Sequence, residues 1–379
     1  MKIKADAHKL RTYLKLMEKG LPSPTVNSPS EDLLGLQAAD GYLIAYGFAK
    51  GQHVRSVFPI DVEEEGFTVV NRTLWFRLLN KLSGEILIQP STNTKTPNRI
   101  EIKRLRASGN FTLNTYDSIP PRVPTPSNGE TKIDTADVHK LLKFCTLDGE
   151  LMGGGYKLER NAGWLTVTVA DRIRLIYAKT QSKGEPFRII VPPQAMSGIF
   201  ETFKHFTNVT ITPSSNSVLL KAQDEKEQHE FGFLAVNGAF PDLSKIMSGA
   251  VHPYNTAQFE VPDLREAVEQ SFVLADNELA AADFTFDGEF CKLSTITDST
   301  SAEVHLNAPA EIENSEAEQL RLRLDFVLTF LKKAEESGSP FINVRWGEKA
   351  PVTWTPDFDQ PQDIDFMLIC AALNRNTTV

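Results

Sequence analysis

Cysteine is scarce. Cys145, Cys291 and Cys370 are the only three in 379 residues, and they form no CxxC pair. That count argues against a disulfide framework and a cysteine-based zinc site, and it fits a reducing compartment. No apolar run approaches the roughly 18 residues a membrane span needs. The stretch MKIKADAHKLRTYLKLMEKG (1–20) has no apolar core before a cleavage site. No secretory leader is expected, and the expected location is cytoplasmic. The Asn-x-Thr triplets at Asn71, Asn110 and Asn208 then carry no meaning as glycosylation sites. Excess positive charge is missing too. The net charge is −9, which excludes a chain coated in basic residues but leaves room for basic charge gathered on one surface.

Chemistry-bearing motifs are also absent. There is no GxxxxGK[ST], no HExxH and no GxSxG. GELMGGGYK (149–157) is rich in glycine, but its lysine falls one residue late and no Ser or Thr follows. The aspartates of DFDQPQDID (357–365) lack the glutamate that closes a calcium-binding loop. The seven histidines are scattered. No catalytic residue, metal site or cofactor is expected. An enzyme with a dispersed site stays open as an alternative.

What the sequence does have is a recurring helical stripe. The chain is 41% hydrophobic, enough for two or three domains. Apolar residues at i, i+3, i+4 and i+7 mark one buried helix face. That spacing occurs at Leu10, Tyr13, Leu14, Met17 and at Trp75, Leu78, Leu79, Leu82. It returns at Val138, Leu141, Leu142, Cys145 and at Met196, Ile199, Phe200, Phe203. The last copies are Leu264, Ala267, Val268, Ser271 and Val327, Phe330, Leu331, Ala334. A short strand-like run precedes each stripe: KIKA, FTVV, TKID, RIIV, QFEV and LRLRL. Asp6, Thr73, Asp134 or Thr135, Pro192, Pro262 and Asp325 stand where each helix should begin. Between helices the text alternates as strands do, as in WLTVTVADRIRLIYA (164–178).

The unit is therefore β-α-β-β-β, repeated six times. One unit alone leaves a sheet edge and a helix face open, so units should pair. The expected fold class is α+β, with three similar domains over 1–125, 126–250 and 251–379. DSIPPRVPTPSNG (117–129) and FPDLSKIMSGAVHPYN (240–255) read as the seams.

The polar faces of these helices are basic. Arg11, Lys15 and Lys19 recur every four residues on the first, and Arg77 and Lys81 lie four apart on the second. Lys140 and Lys143 mark the third, Lys204 the fourth, and Lys332 and Lys333 the sixth; the fifth is mixed. These are either ordinary solvated faces or a common surface for sequence-independent phosphate contact. Acidic runs such as DVEEEG (61–66) and AQDEKEQHE (222–230) would then lie elsewhere.

Several segments resemble the bacterial DNA polymerase III beta subunit, the sliding clamp. They are NGAFPDLSKIM (237–247), FEVPDLREAVEQSFVLADNEL (259–279), LRLRLDFVLTFLKKA (320–334), INVRWGEKAPVTWTP (342–356), IDFMLICAAL (364–373) and VADRIRLIYA (169–178). The resemblance covers the second and third domains well, and the first in order and length.

It implies a homodimeric ring that encircles double-stranded DNA without reading sequence, with helices on the inner face and sheets outside. Such a ring is loaded by a clamp loader and tethers a DNA polymerase as its processivity factor; it needs no catalysis. By the same resemblance, Phe111 and Leu113 match one half of the dimer interface, and Val273 and Leu274 the other. Ile173, Arg174, Leu175, Met247, Met367, Ile369 and Ala371 match a groove that takes partner peptides. Ile369-Cys370-Ala371-Ala372-Leu373 and Arg172-Ile173 depart from the family's pattern there, which suits a divergent member. A repeat-built interaction scaffold that does not encircle DNA is the alternative from another class.

Overall fold

The computed structural model describes the chain apart from residues 25–28, 93–97, 107, 121–128, 146, 148–150, 194, 197–201, 237–239, 241–254, 276–279, 297–300, 314–318, 348–349, 360–361 and 374–379. The described residues group into two compact units. One is Met1–His139 with Gly184–Asn237, the other Lys140–Lys183 with Gly238–Val379. The fold is α+β, as expected.

Among the described residues five helices are defined: α1 (Ala7–Gly20), α2 (Arg72–Leu79), α3 (Thr135–Phe144), α4 (Val261–Leu274) and α5 (Leu324–Glu336). Each follows directly on a strand: Lys2–Asp6, Gly66–Asn71, Thr131–Asp134, Asn255–Glu260 and Gln319–Arg323. The sixth expected start also has its strand, Phe187–Val191. Helical residues follow at 193, 195, 196, 202 and 203, while Ile199 and Phe200 lie outside the described residues.

The helix starts have local causes. Asp6 accepts bonds from the amides of His8 and Lys9, both at 3.0 Å, meeting donors that no turn can satisfy. Pro262 sits in the first turn of α4, where a missing amide hydrogen costs nothing. Two expected caps differ. Asn71, not Thr73, caps α2 by accepting from Leu74 N at 2.8 Å, because the preceding strand runs on to that residue. Asp325 lies inside α5 and pairs with Arg323 at 2.7 Å.

Most described residues of the expected stripes are buried, while Tyr13, Leu78 and Leu142 are half-buried. Leu14, Val138, Leu141, Leu264, Val268, Val327 and Leu331 are all within 1% of full burial. Each such side chain contributes about 1.5–3 kcal/mol over its exposed state. Trp75, Trp346 and Trp354 are buried in the same way, and Phe286 stacks on Trp346 at 4.3 Å.

The first unit holds two complete sheets. One has five strands in the order 61–64, 2–6, 85–90, 99–104, 110–114. The other has eight: 131–134, 208–213, 217–223, 228–234, 52–59, 42–49, 33–39, 66–71. α1 packs on strand Gln52–Pro59, with Tyr13 stacked on Phe58 at 4.5 Å. In the second unit, eight neighbouring strands run 156–161, 164–170, 174–181, 364–370, 350–357, 341–347, 255–260, 310–311. A four-stranded sheet there runs 301–307, 290–296, 281–287, 319–323.

The eight-stranded sheet of the first unit takes strands from both sides of residue 126. Gln52–Pro59 and Gln228–Leu234 join them antiparallel. At this join His229 Nδ1 lies 2.8 Å from Ser56 Oγ, and both residues are buried. Opposite His53 stands Gly232, and a Cβ at that position would overlap the buried His53 ring.

All three cysteines are buried and free. Burial pushes each thiol up to about 12, so none is a nucleophile at neutral pH.

Gly232→Ala should destabilise the chain by about 1–3 kcal/mol, read as a lowered urea midpoint. An unchanged midpoint would mean that the His53 ring moves aside freely.

Candidate nucleic-acid interface and partner groove

In the first unit, α1 and α2 lie in contact, and polar side chains tie them together. Arg11 reaches from α1 to the end of α2, where its Nη2 donates to Leu82 O at 3.0 Å and Leu79 O at 3.3 Å. Helix C-termini leave carbonyls without partners and carry partial negative charge, so a guanidinium is well placed there. Asn80 donates to Glu18 at 2.6 Å across the same pair. Arg11 therefore acts first as a fastener. Lys15 is half-buried and Lys19 exposed, and both have polar or electrostatic partners. Arg77 and Lys81 are exposed, with no ion pair to a described residue.

Lys140 and Lys143 on α3 are exposed in the same unpaired way, as is Lys204. α5 differs. Lys333 is half-buried, and its Nζ donates to Phe144 O, the last residue of α3, at 2.7 Å. Phe144, Ile176, Phe330 and Leu368 line the space around it, and Phe144 stacks on Phe366 at 4.2 Å. Burial in that apolar setting pushes the ammonium's pKa below the ordinary lysine value. Lys332 lies 3.9 Å from Glu269. Glu269 also pairs with Arg265 at 3.0 Å, and Arg265 reaches Glu335 as well.

Six of the seven residues expected in the groove lie on or beside one strand pair of the second unit. Arg174–Gln181 runs antiparallel to Ile364–Cys370. The register sets Leu175 opposite Ile369 and Tyr177 opposite Met367. Leu175, Ile369 and Ala170 form a small apolar cluster against which Tyr177, Phe240 and Met367 pack. Ile173 is 39% exposed, and its carbonyl accepts from Ala371 N at 2.9 Å, closing one end of the pair. Five of the seven expected residues thus come to one end of two strands, three of them in this cluster.

Met247 lies outside the described residues. Arg174 is placed differently. Strand alternation turns it away from Leu175, and its guanidinium sits 4.1 Å from the Phe326 ring centroid. Its Nε donates to Asp171 at 2.6 Å. Arg323 lies near the same ring at 4.5 Å, so Phe326 has two guanidinium neighbours. Sequence reasoning missed Ala170, Tyr177 and Phe240. Tyr177 was findable, since it stands two residues beyond Leu175 and so shares its face.

Asn110–Asn114, which carries Phe111 and Leu113, is the edge strand of the five-stranded sheet. Phe111 is 38% exposed. In the second unit Ser301–Asn307 is likewise an edge strand, and α4 contacts it. The end of α4 exposes Phe272, Leu274 and Val273, the last at 80%. Open edges with apolar neighbours invite a further strand.

Solved structures of known proteins share this fold along its whole length. The DNA polymerase III beta subunit of Thermotoga maritima matches with a TM-score of 0.80 at 15% identity, over 98% of this chain and 99% of that one. The chain has the fold of the bacterial sliding clamp. The Streptococcus pyogenes beta subunit matches at 0.80 and 11% identity, over 98% and 100% of the two chains. The Pseudomonas aeruginosa sliding clamp, bound to griselimycin, matches at 0.77 and 16%, over 99% of each. No protein-family model and no curated protein matches the sequence.

Arg11→Ala should lower stability by about 1.5–3 kcal/mol through the two lost charged hydrogen bonds, measured by denaturant unfolding. A stability unchanged within error would assign Arg11 to the surface instead.

Proposed function

We propose that this chain is a sliding clamp. Two copies close head to tail around double-stranded DNA, and the ring holds a DNA polymerase on its template. The observation that carries this reading is the fold match to beta subunits across 98% of this chain and 99% of the Thermotoga maritima chain. Exposed cations on α2 and α3 support it, as do the two apolar-flanked strand edges and the apolar cluster around Leu175 and Ile369.

In this reading the chain has three domains, 1–125, 126–250 and 251–379. Arg77, Lys81, Lys140, Lys143 and Lys204, with Lys15 and Lys19, face the duplex. Phosphates are alike along DNA, so such contacts hold the ring without fixing its position. Phe111 and Leu113 of one copy meet Val273 and Leu274 of the next. The groove at Ile173, Leu175, Met367, Ile369 and Ala371 takes a short segment of the polymerase and of the clamp loader. Tethering raises the polymerase's effective concentration at the primer end. The ring catalyses nothing itself and works in the cytoplasm.

Loaded onto nicked circular DNA, the protein should be retained through gel filtration and released when the circle is linearised. Release from both forms alike would overturn the reading, because only threading distinguishes them. Phe111→Asp should weaken the dimer by about 30-fold or more, as burying a charge at a central contact does. Analytical ultracentrifugation measures it, and an unchanged dimer would remove Phe111 from the interface.

A further inference from the structure

The cations of α4 and α5 are occupied within the protein. Arg72 at the start of α2 is likewise turned in, onto Pro22 O and Asp32, but Arg77, Lys81, Lys140 and Lys143 form no ion pair with a described residue. Arg265 of α4 donates to Glu269 at 3.0 Å and also to Glu335 of α5. Its two carboxylate partners hold the guanidinium's pKa above the ordinary value, Glu269 first. Lys332 of α5 stands 3.9 Å from the same Glu269. Lys333 is turned in and donates to Phe144 O. Acids also outnumber bases here. α4 carries Asp263, Glu266 and Glu269 against Arg265, and α5 carries Asp325, Glu335 and Glu336 against Lys332 and Lys333. By contrast Arg77 and Lys81 have no acid within their helix or the residues just after it, and Lys140 and Lys143 share α3 with Asp137 alone.

We infer that phosphate contact in this chain is carried by the first three helices and Lys204, and that an ion-pair latch across α4 and α5 withholds Arg265 and Lys332 from DNA. The inference rests on the sliding-clamp reading and deepens it. A phosphate competing for Arg265 must displace two carboxylates already in place, and it meets Glu266 and Glu336 exposed beside them. Coulomb repulsion from those groups opposes its approach, and salt screens it only partly at such short range. A phosphate meeting Arg77 or Lys140 displaces only loosely held counterions, which is the favourable exchange in non-specific DNA binding. The grip on DNA is therefore uneven along the chain. The duplex is held on one set of helices and merely accommodated by the other.

The test is fluorescence anisotropy of a labelled duplex with the full-length protein, titrated with salt. Each phosphate neutralised adds about 0.9 to the slope of log affinity against log salt. Replacing Arg77, Lys81, Lys140 and Lys143 with alanine should lower affinity by about tenfold or more and remove up to about 3.6 from the slope. Arg265→Gln should leave both within about twofold, since that group touches no phosphate. Glu269→Gln with Glu335→Gln should free Arg265 and Lys332, strengthen binding and add about 1 to 2 to the slope.

A slope unmoved by the glutamate pair overturns the inference. So does an Arg265→Gln loss as large as that of the fourfold variant, or a fourfold variant that binds as before. If the unaltered protein shows no salt-dependent association with duplex, the clamp reading itself fails. If it threads circles while α4 and α5 prove to be the phosphate contacts, the reading stands and the latch falls.

Discussion

Backbone pairing between two distant segments is the constraint on which the first unit depends. Gln52–Pro59 and Gln228–Leu234 share one ladder, although Ser56 and His229 are 173 residues apart in the chain. A strand left unpaired there would present a row of amides and carbonyls to solvent. Pairing them instead makes one eight-stranded sheet, and that sheet fixes much else. Phe58 on the joining strand carries Tyr13 of α1. α1 in turn directs Arg11 onto the end of α2. The placement of Arg77 and Lys81 is thus set by hydrogen bonds made far from them in sequence.

A second device recurs in both units. Arg11 meets the last carbonyl of α2 and that of Leu82 just beyond it, and Lys333 meets the last carbonyl of α3. Helices of eight and ten residues have few turns over which to spread their dipoles, and their C-terminal carbonyls need donors. Borrowing a cation from a packed neighbour supplies one and also fixes how the two helices approach. The cost is that such a cation is no longer free for a ligand. A basic residue on these helices therefore has one of two jobs, and its neighbours decide which.

This divides what was legible in the sequence from what was not. Local periodicity sufficed for the buried stripes, since burial of Leu10, Val138 or Leu331 follows from spacing alone. It sufficed for the strands that precede each helix, whereas the meeting of Leu175 and Ile369 on one face came only from the resemblance to the sliding clamp. It also held the clue that Arg174 turns away from both, because an even position between odd ones faces the other side. It could not separate Arg11 from Arg77. Both are arginines on a basic helix face, but Arg11 lies beside a neighbouring helix end and Arg77 does not. Nor could it find the Arg265–Glu335 contact, which joins residues 70 apart. The Thr73 expectation failed for a similar reason. A cap depends on where the preceding strand lets go, and that is a property of the sheet.

The sequestered thiols have a practical corollary. Because Cys145, Cys291 and Cys370 are all interior, a cysteine engineered at the surface would be the sole accessible attachment point for a maleimide dye. Fluorophores placed at Asn110 and Val273 would thus show, by energy transfer between mixed subunits, whether copies assemble as proposed, in the native background and without first stripping the protein of its own sulfur.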